Sequence, residues 1–212
     1  LTLGAGQTRI ATWTETSAGG PGLPFYSVGL RGDAMAPARQ AQTILRLRHG
    51  AFDPITGAQP ELRSVLSARE PSRLHIVQFV TQPLEDYRLE LESLGARIRH
   101  YLPHQALVVE ADPAALAEIG ALPFVRWTGP YHPAYRLEPA LQLDAQQLAE
   151  RFPKQRYNLL LFGTGDVHKQ RVAARIKAIG GDVDKQDAGK HLMIATLESA
   201  ELLEVAQWDE IA

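Results

Sequence analysis

The sequence contains no cysteine, which excludes disulfide staples and thiolate metal sites. It has no apolar run of about 18 residues, the length a membrane-spanning helix needs, so no membrane span is expected. Charge of one sign is also scarce. The formal net charge is −2, too little to draw in nucleic acid or anionic lipid over a broad surface. Catalytic signatures are missing as well: there is no G-x-S-x-G elbow, no H-E-x-x-H, no P-loop and no G-x-G-x-x-G between strand and helix. The string FGTGD, Phe162 to Asp166, has two glycines and no lysine at the required spacing. It reads as a strand-to-helix turn rather than a phosphate cradle.

His100 and His104 are four apart but flank a turn at Pro103, so they do not present a metal pair on one helix face. Glu90 with Glu92, and Asp182 with Asp184, fall on solvated faces where nothing would raise a carboxyl pKa. Arg31-Gly32-Asp33 is too short a match to carry an adhesion function. No metal, no cofactor and no enzymatic chemistry are expected.

What is present is an ordinary globular balance, 45% apolar and 22% charged in 212 residues, enough for one large domain or two small ones. The chain opens at Leu1 without a basic stretch leading into an apolar one. That reads as a fragment or a chain whose leader has been removed, and is compatible with an extracytoplasmic location, secreted or periplasmic.

Residues 1–72 lack sustained periodicity and carry turn-forming stretches at Ser17–Pro24 and Phe52–Pro60. They read as an extended Pro/Gly-rich N-terminal arm lying on something else. Within it, Ala38–Arg48 fits a strand or a short helix, the alternation Leu45-Arg46-Leu47-Arg48 favouring a strand. From Arg73 the pattern changes. LHIVQF is a strand, and Leu84, Tyr87, Leu91 and Leu94 stand at helical spacing before a stop at Gly95. RIRHYL and HQALVVEA are paired strands, Asp112-Pro113 opens a second helix, and PFVRW is a closing strand. The order is βαββαβ over 73–137.

After a linker at 138–156 the order returns over 157–212. Leu94-Gly95 matches Ile179-Gly180, and Ala106–Ala111 matches His191–Thr196, both at an offset of 85. Leu116, Glu118 and Ile119 match Leu202, Glu204 and Val205 at an offset of 86. The internal repeat reads as a duplication. Ile211 then falls on Val125, so the second repeat stops inside its last strand, and the chain reads as the N-terminal portion of something longer.

The strands are too apolar for a sheet with one wet face. Ile76-Val77, Leu107-Val108-Val109 and Leu192-Met193-Ile194 place apolar side chains on both faces. At about 25 cal/mol per Å² of apolar surface, a cover is expected: either the repeats and arm cover one another, or a separate protein partner does. An RNA-stacking sheet would need aromatics on these central strands, and they have none.

The strings IVQF, LGARI, YLPHQALVV, DPAALAEIGALPFVRW and GPYHPAYRL, with the lead-in LRLRHGAFDPITG, resemble the propeptide of subtilisin-like serine proteases. The second repeat is similar but more divergent. The resemblance implies an α+β fold of two tandem ferredoxin-like units, each an antiparallel sheet with two helices on one face. It also implies a prodomain that acts as intramolecular chaperone and inhibitor, its partner a subtilisin-like peptidase domain in cis or in trans. Such propeptides lay an open sheet face on the protease and leave a C-terminal tail in its cleft. The contact positions so implied are Val77, Phe79, Val108, Phe124 and Trp127 in the first unit and Leu161, Ile194 and Ile211 in the second. Alternation alone leaves open which residue of each neighbouring pair faces outward. The peptidase triad is absent from this sequence. A standalone interaction module and an ACT-like ligand sensor are the alternative readings.

Overall fold

The computed structural model describes residues 1–3, 8–16 and 20–212; residues 17–19 of the expected Ser17–Pro24 turn lie outside them. The region read as an arm is a sheet. Strands β1 (Thr2–Leu3), β2 (Thr8–Glu15), β3 (Leu23–Gly29) and β4 (Arg39–Gln40) pair in that order, all antiparallel. Sequence reading missed it because β2 buries only Thr8 and Ile10 and β4 is two residues long, too little periodicity to register. A two-stranded ribbon follows, β5 (Leu45–Leu47) and β6 (Gly50–Phe52), so the Leu-Arg alternation does mark a strand.

The chain divides into two compact units. The first comprises Leu1–Arg46, Ala51–Gln59 and Arg73–Pro130; the second comprises Leu47–Gly50, Pro60–Ser72 and Tyr131–Ala212. Residues 1–72 are thus shared between the units and are not one arm.

In the first unit, β7 (Leu74–Phe79), α1 (Glu85–Ser93), β8 (Arg97–Leu102), β9 (Ala106–Glu110), α2 (Pro113–Gly120) and β10 (Val125–Pro130) form a sheet of order β10-β7-β9-β8 with antiparallel neighbours. Gly95, at φ +89°, ends α1 in a conformation that costs a residue with a Cβ. The Asp112 carboxylate accepts from Ala115 N–H at 2.9 Å and Pro113 occupies the first helical turn, which starts α2. Val77, Phe79, Leu107 and Val109 pack with Tyr87, Leu91, Ala115 and Ile119 from the helices, and with Ile10, Tyr26 and Val28 from the N-terminal sheet.

In the second unit, the expected linker carries a helix, α3 (Ala145–Arg151). Asp144 caps it by accepting from Gln147 N–H at 2.8 Å, and Leu148 is buried. Then come β11 (Lys154–Leu160), α4 (Asp166–Ala178), β12 (Asp182–Gln186), β13 (Leu192–Glu198) and α5 (Ser199–Val205), with sheet order β11-β13-β12. A single bridge, Leu161 to Ile211, begins pairing on the free side of β11.

Backbone hydrogen bonds recur between the units. Phe79 N–H to Gln105 O (2.8 Å) and Val80 N–H to Phe124 O (3.0 Å) have counterparts in Leu161 N–H to His191 O (2.9 Å) and Phe162 N–H to Glu210 O (3.0 Å). Ala96 N–H to Leu91 O (3.1 Å) recurs as Gly181 N–H to Ile176 O (3.0 Å), and Val125 N–H to Leu122 O (3.0 Å) as Ile211 N–H to Trp208 O (3.2 Å). Even the irregularity between Ile98 and His100 in β8 recurs between Val183 and Lys185 in β12.

These bonds correct one step of the sequence alignment. Gln105 corresponds to His191, so Ala106 corresponds to Leu192 and Val108 to Ile194, one residue later than the offset of 85 places them. The extra residue lies in the β12–β13 turn. In a strand, a one-residue slip moves every side chain to the opposite face.

Candidate functional site

Each unit's sheet has a second face, away from its helices. In the first unit that face carries Leu74, Ile76, Gln78, Ala106 and Val108, none with measurable exposure. A buried glutamine must find hydrogen-bond partners, and Gln78 does. Its Nε2 donates to the carbonyls of Gln42 (3.3 Å) and Thr43 (3.2 Å), and its Oε1 accepts from Arg126 Nη1 at 2.7 Å. Arg126 Nη2 then bridges both oxygens of Asp53 at 2.7 and 2.9 Å. Each side chain of that ion pair is 15% exposed. Burial works to raise the Asp53 pKa, but hydrogen bonds from Arg126 and the Ile55 N–H prevail and hold it at about 2. Gln42, Thr43 and Asp53 therefore tie the lead-in segment across this face.

On the helix side, the Tyr87 and Phe124 rings stack with centroids 4.1 Å apart, and Phe79 lies beside Tyr87 at 5.2 Å. Tyr87 shares a 2.8 Å hydrogen bond with Thr81, yet burial still pushes its hydroxyl pKa to about 12. These groups serve packing.

The corresponding face of the second unit is open. Arg156 and Asn158 are exposed, Leu160 and Leu192 are 53% and 40% exposed, and Ile194 and Thr196 are half-buried. β11 alternates strictly, with Tyr157 and Leu159 buried beneath and Arg156, Asn158 and Leu160 outside. Leu160 pairs with Leu192 and Asn158 with Ile194, which makes a small apolar patch. Arg156 and Asp184 form an ion pair beside it at 3.4 Å.

The expected contact residues distribute accordingly. Val77, Phe79, Val108, Phe124, Leu161 and Ile211 are buried in their own units. They form interior packing, not a surface that another protein could touch. Trp127 is half-buried and lies over Gly129, where a Cβ would stand 2.1 Å from the indole. Ile194, also half-buried, shares the open face of the second unit. Leu160, Leu192 and Asn158 were missed. The signal for them was the polar alternation of RYNLL, legible only once the register of β11 against β13 is known.

A second feature lies on the free side of β11. A groove of about 160 Å³ runs there, floored by Tyr157–Leu160 and walled by Leu202, Val205 and Ala206 of the α5 region and by Leu137 and Leu141. Arg136, which also lines it, is buried. Its Nη1 donates to the carbonyls of Trp208 (2.9 Å) and Ile211 (2.8 Å), clamping the chain where it reaches β11. Burial pulls its pKa down to about 10, with Tyr131 and Asp209 opposing that shift.

Among the described residues, no cluster of three or more His, Asp or Glu is placed to hold a metal ion, and no helix is long and apolar enough to cross a membrane. His100 is exposed on β8, and His104 sits at φ +67° in the β8–β9 turn. The FGTGD string leads from β11 into α4, with Gly165 as its N-cap.

The fold is mixed α+β with antiparallel sheets. A protein family described as "Domain of unknown function (DUF8729)" matches residues 46–132. That stretch takes in both Asp53 and Arg126, so it includes the lead-in together with the sheet that the lead-in crosses. No curated protein and no solved structure matches the chain.

Proposed function

We propose that the chain is the prodomain of a subtilisin-like serine protease, acting as folding chaperone and inhibitor of the peptidase domain, with its two units built on one ferredoxin-like βαββαβ plan. The observation that carries this reading is the open sheet face of the second unit, bearing Leu160, Leu192 and Ile194 above a formed core. A rigid sheet that binds the folded peptidase, or the species on its folding path, stabilises it by mass action. The recurring hydrogen bonds support the duplication read from the sequence. The docking surface differs from the one the resemblance implies: the first unit's second face is closed by its own residues, so binding falls to the second unit.

Three strands at about 4.8 Å spacing and about 17–20 Å length give a face of roughly 300 Å². A stable complex buries about 800 Å² per partner, so contacts beyond the sheet must contribute. The test is titration into a subtilisin-like protease while peptide hydrolysis is followed, with refolding of the denatured protease in parallel. Inhibition or recovered activity, weakened about tenfold or more by Leu160→Asp with Leu192→Asp, supports the reading; no inhibition, no rescue and no complex sinks it.

A standalone interaction module is the second reading. It is favoured by the interior placement of six of the eight contact positions the resemblance implies. It is separated from the first by a chain that binds another extracellular protein and leaves the protease unaffected.

A further inference from the structure

The buried stripe of α4 is Lys169, Val172, Ala173 and Ile176, and its first member is a charge. At the offset of 85 that joins the two helix stops, Lys169, Val172 and Ile176 fall on Leu84, Tyr87 and Leu91, all in the first unit's core. The first unit thus has a leucine where the second has an ammonium. Lys169 is only 2% exposed, so its charge is not carried out to water on a flexible stem.

Buried charges are paired, yet this one lacks a counter-charge. Its Nζ donates to the Asp187 carbonyl in the β12–β13 turn, which uses one of three protons. Among the described residues no carboxylate forms an ion pair with it. The Asp187 carboxylate is engaged elsewhere, with Lys185 at 3.4 Å and Lys190 at 3.2 Å. That turn is also the one with the residue absent from the first unit, so both departures from the shared plan meet at this ammonium.

Beside it is a cavity of about 220 Å³, lined by Lys169, Asp166, Gln170, Gln186 and Ala188, all of the second unit. A cavity of ~150 Å³ holds a benzene ring, so this one has room for roughly nine non-hydrogen atoms. The α4 macrodipole favours negative charge at its first turn, where Gly165 supplies no capping side chain. Asp166 lines the same cavity, so a dianion meets more repulsion there than a monoanion. An acidic side chain of another protein would fill roughly half the space.

We propose that this cavity binds a small monocarboxylate, its carboxylate paired with the Lys169 ammonium and assisted by the amides of Gln170 and Gln186. This inference goes beyond the prodomain reading and stands without it.

The test is titration of the 212-residue chain with sodium acetate and with sodium propionate, followed by amide chemical shifts, sodium chloride holding the ionic strength constant. Shifts at Lys169, Gln186 and Ala188 should saturate. Half-saturation is expected on the order of 1 mM, inside the affinity ceiling for so few atoms. Acetamide, the neutral isostere of acetate, should leave them unmoved. Lys169→Met nearly conserves the buried volume and removes the charge; it should raise half-saturation more than tenfold and leave circular dichroism unchanged. Should that variant fail to fold, acetamide against acetate decides. No saturable shift, equal shifts with acetamide, or tighter binding of inorganic phosphate overturns the proposal. Tighter binding of N-acetylglutamate methylamide than of propionate also overturns it, by assigning the cavity to an acidic side chain of another protein. Acetate shifts that persist in Lys169→Met do the same, leaving Lys169 a clip on the Asp187 carbonyl.

Discussion

Two sheets with the same connections treat their second faces in opposite ways. At five matched positions the first unit has Leu74, Ile76, Gln78, Ala106 and Val108, all buried; the second has Arg156, Asn158, Leu160, Leu192 and Ile194, exposed or half-buried. Topology therefore does not decide whether a sheet is covered. In the first unit the polar groups needed for a cover are present: Gln78 and Arg126 donate hydrogen bonds to a crossing segment that a wholly apolar face could not orient. The second unit has no residue equivalent to that pair, and its face stays available.

The sharpest way to break this comparison is to put the same charge at the matched positions. Val108→Asp buries an unpaired carboxylate and should cost about 4 kcal/mol or more, whereas Ile194→Asp should cost about 1 kcal/mol or less. Urea unfolding measures both, and equal losses would show that the second face is covered in solution as well. Next in size is Phe124→Ala, which removes the ring stacked on Tyr87 and should destabilise by about 4 kcal/mol, visible as loss of the first unit's protection in hydrogen exchange.

Arg126→Ala strands Asp53 and Gln78 and should cost about 3 kcal/mol. The same network sets an acid limit. The Asp53 pKa lies below its ordinary 3.8, at about 2 in the folded chain. The native state thus favours the carboxylate, and the stability this gives is fully present above about pH 4 and is lost as the pH falls toward 2. Thermal melts should show that loss in the parent chain and a flatter profile over the same window for Asp53→Asn. The smallest effect is expected from Asp112→Ala, about 1 kcal/mol through loss of the α2 cap. Asp144→Ala, at the equally capped α3, gives a matched measurement in the other unit.

Much of the βαββαβ order was legible from local signals. Gly95 and Gly180, at φ +89° and +105°, end their helices where the sequence places the stops; Asp112-Pro113 starts α2; Ile211 meets Leu161 as Val125 meets Phe79. The contact residues were not legible. Val77 and Val108 are equally apolar, and alternation states that neighbours face opposite ways without saying which way is out. The N-terminal sheet was missed for a related reason. Its strands are stabilised by Ile10, Tyr26 and Val28 packing into a core whose other buried residues begin at Val77, and no local window contains that information.

By itself, the sequence determined the stops of α1 and α4 and the start of α2, that the order of elements repeats, and that no disulfide holds the fold. These depend on backbone conformation and on residue types, which are local. Only the tertiary structure decided that the repeat register shifts by one residue in the β12–β13 turn, that the first sheet is closed by Gln42, Thr43 and Asp53, and that the second is not. Burial is a property of what packs above a residue, and hydrogen bonds between positions 42, 53, 78 and 126 exist only once the chain has brought them together.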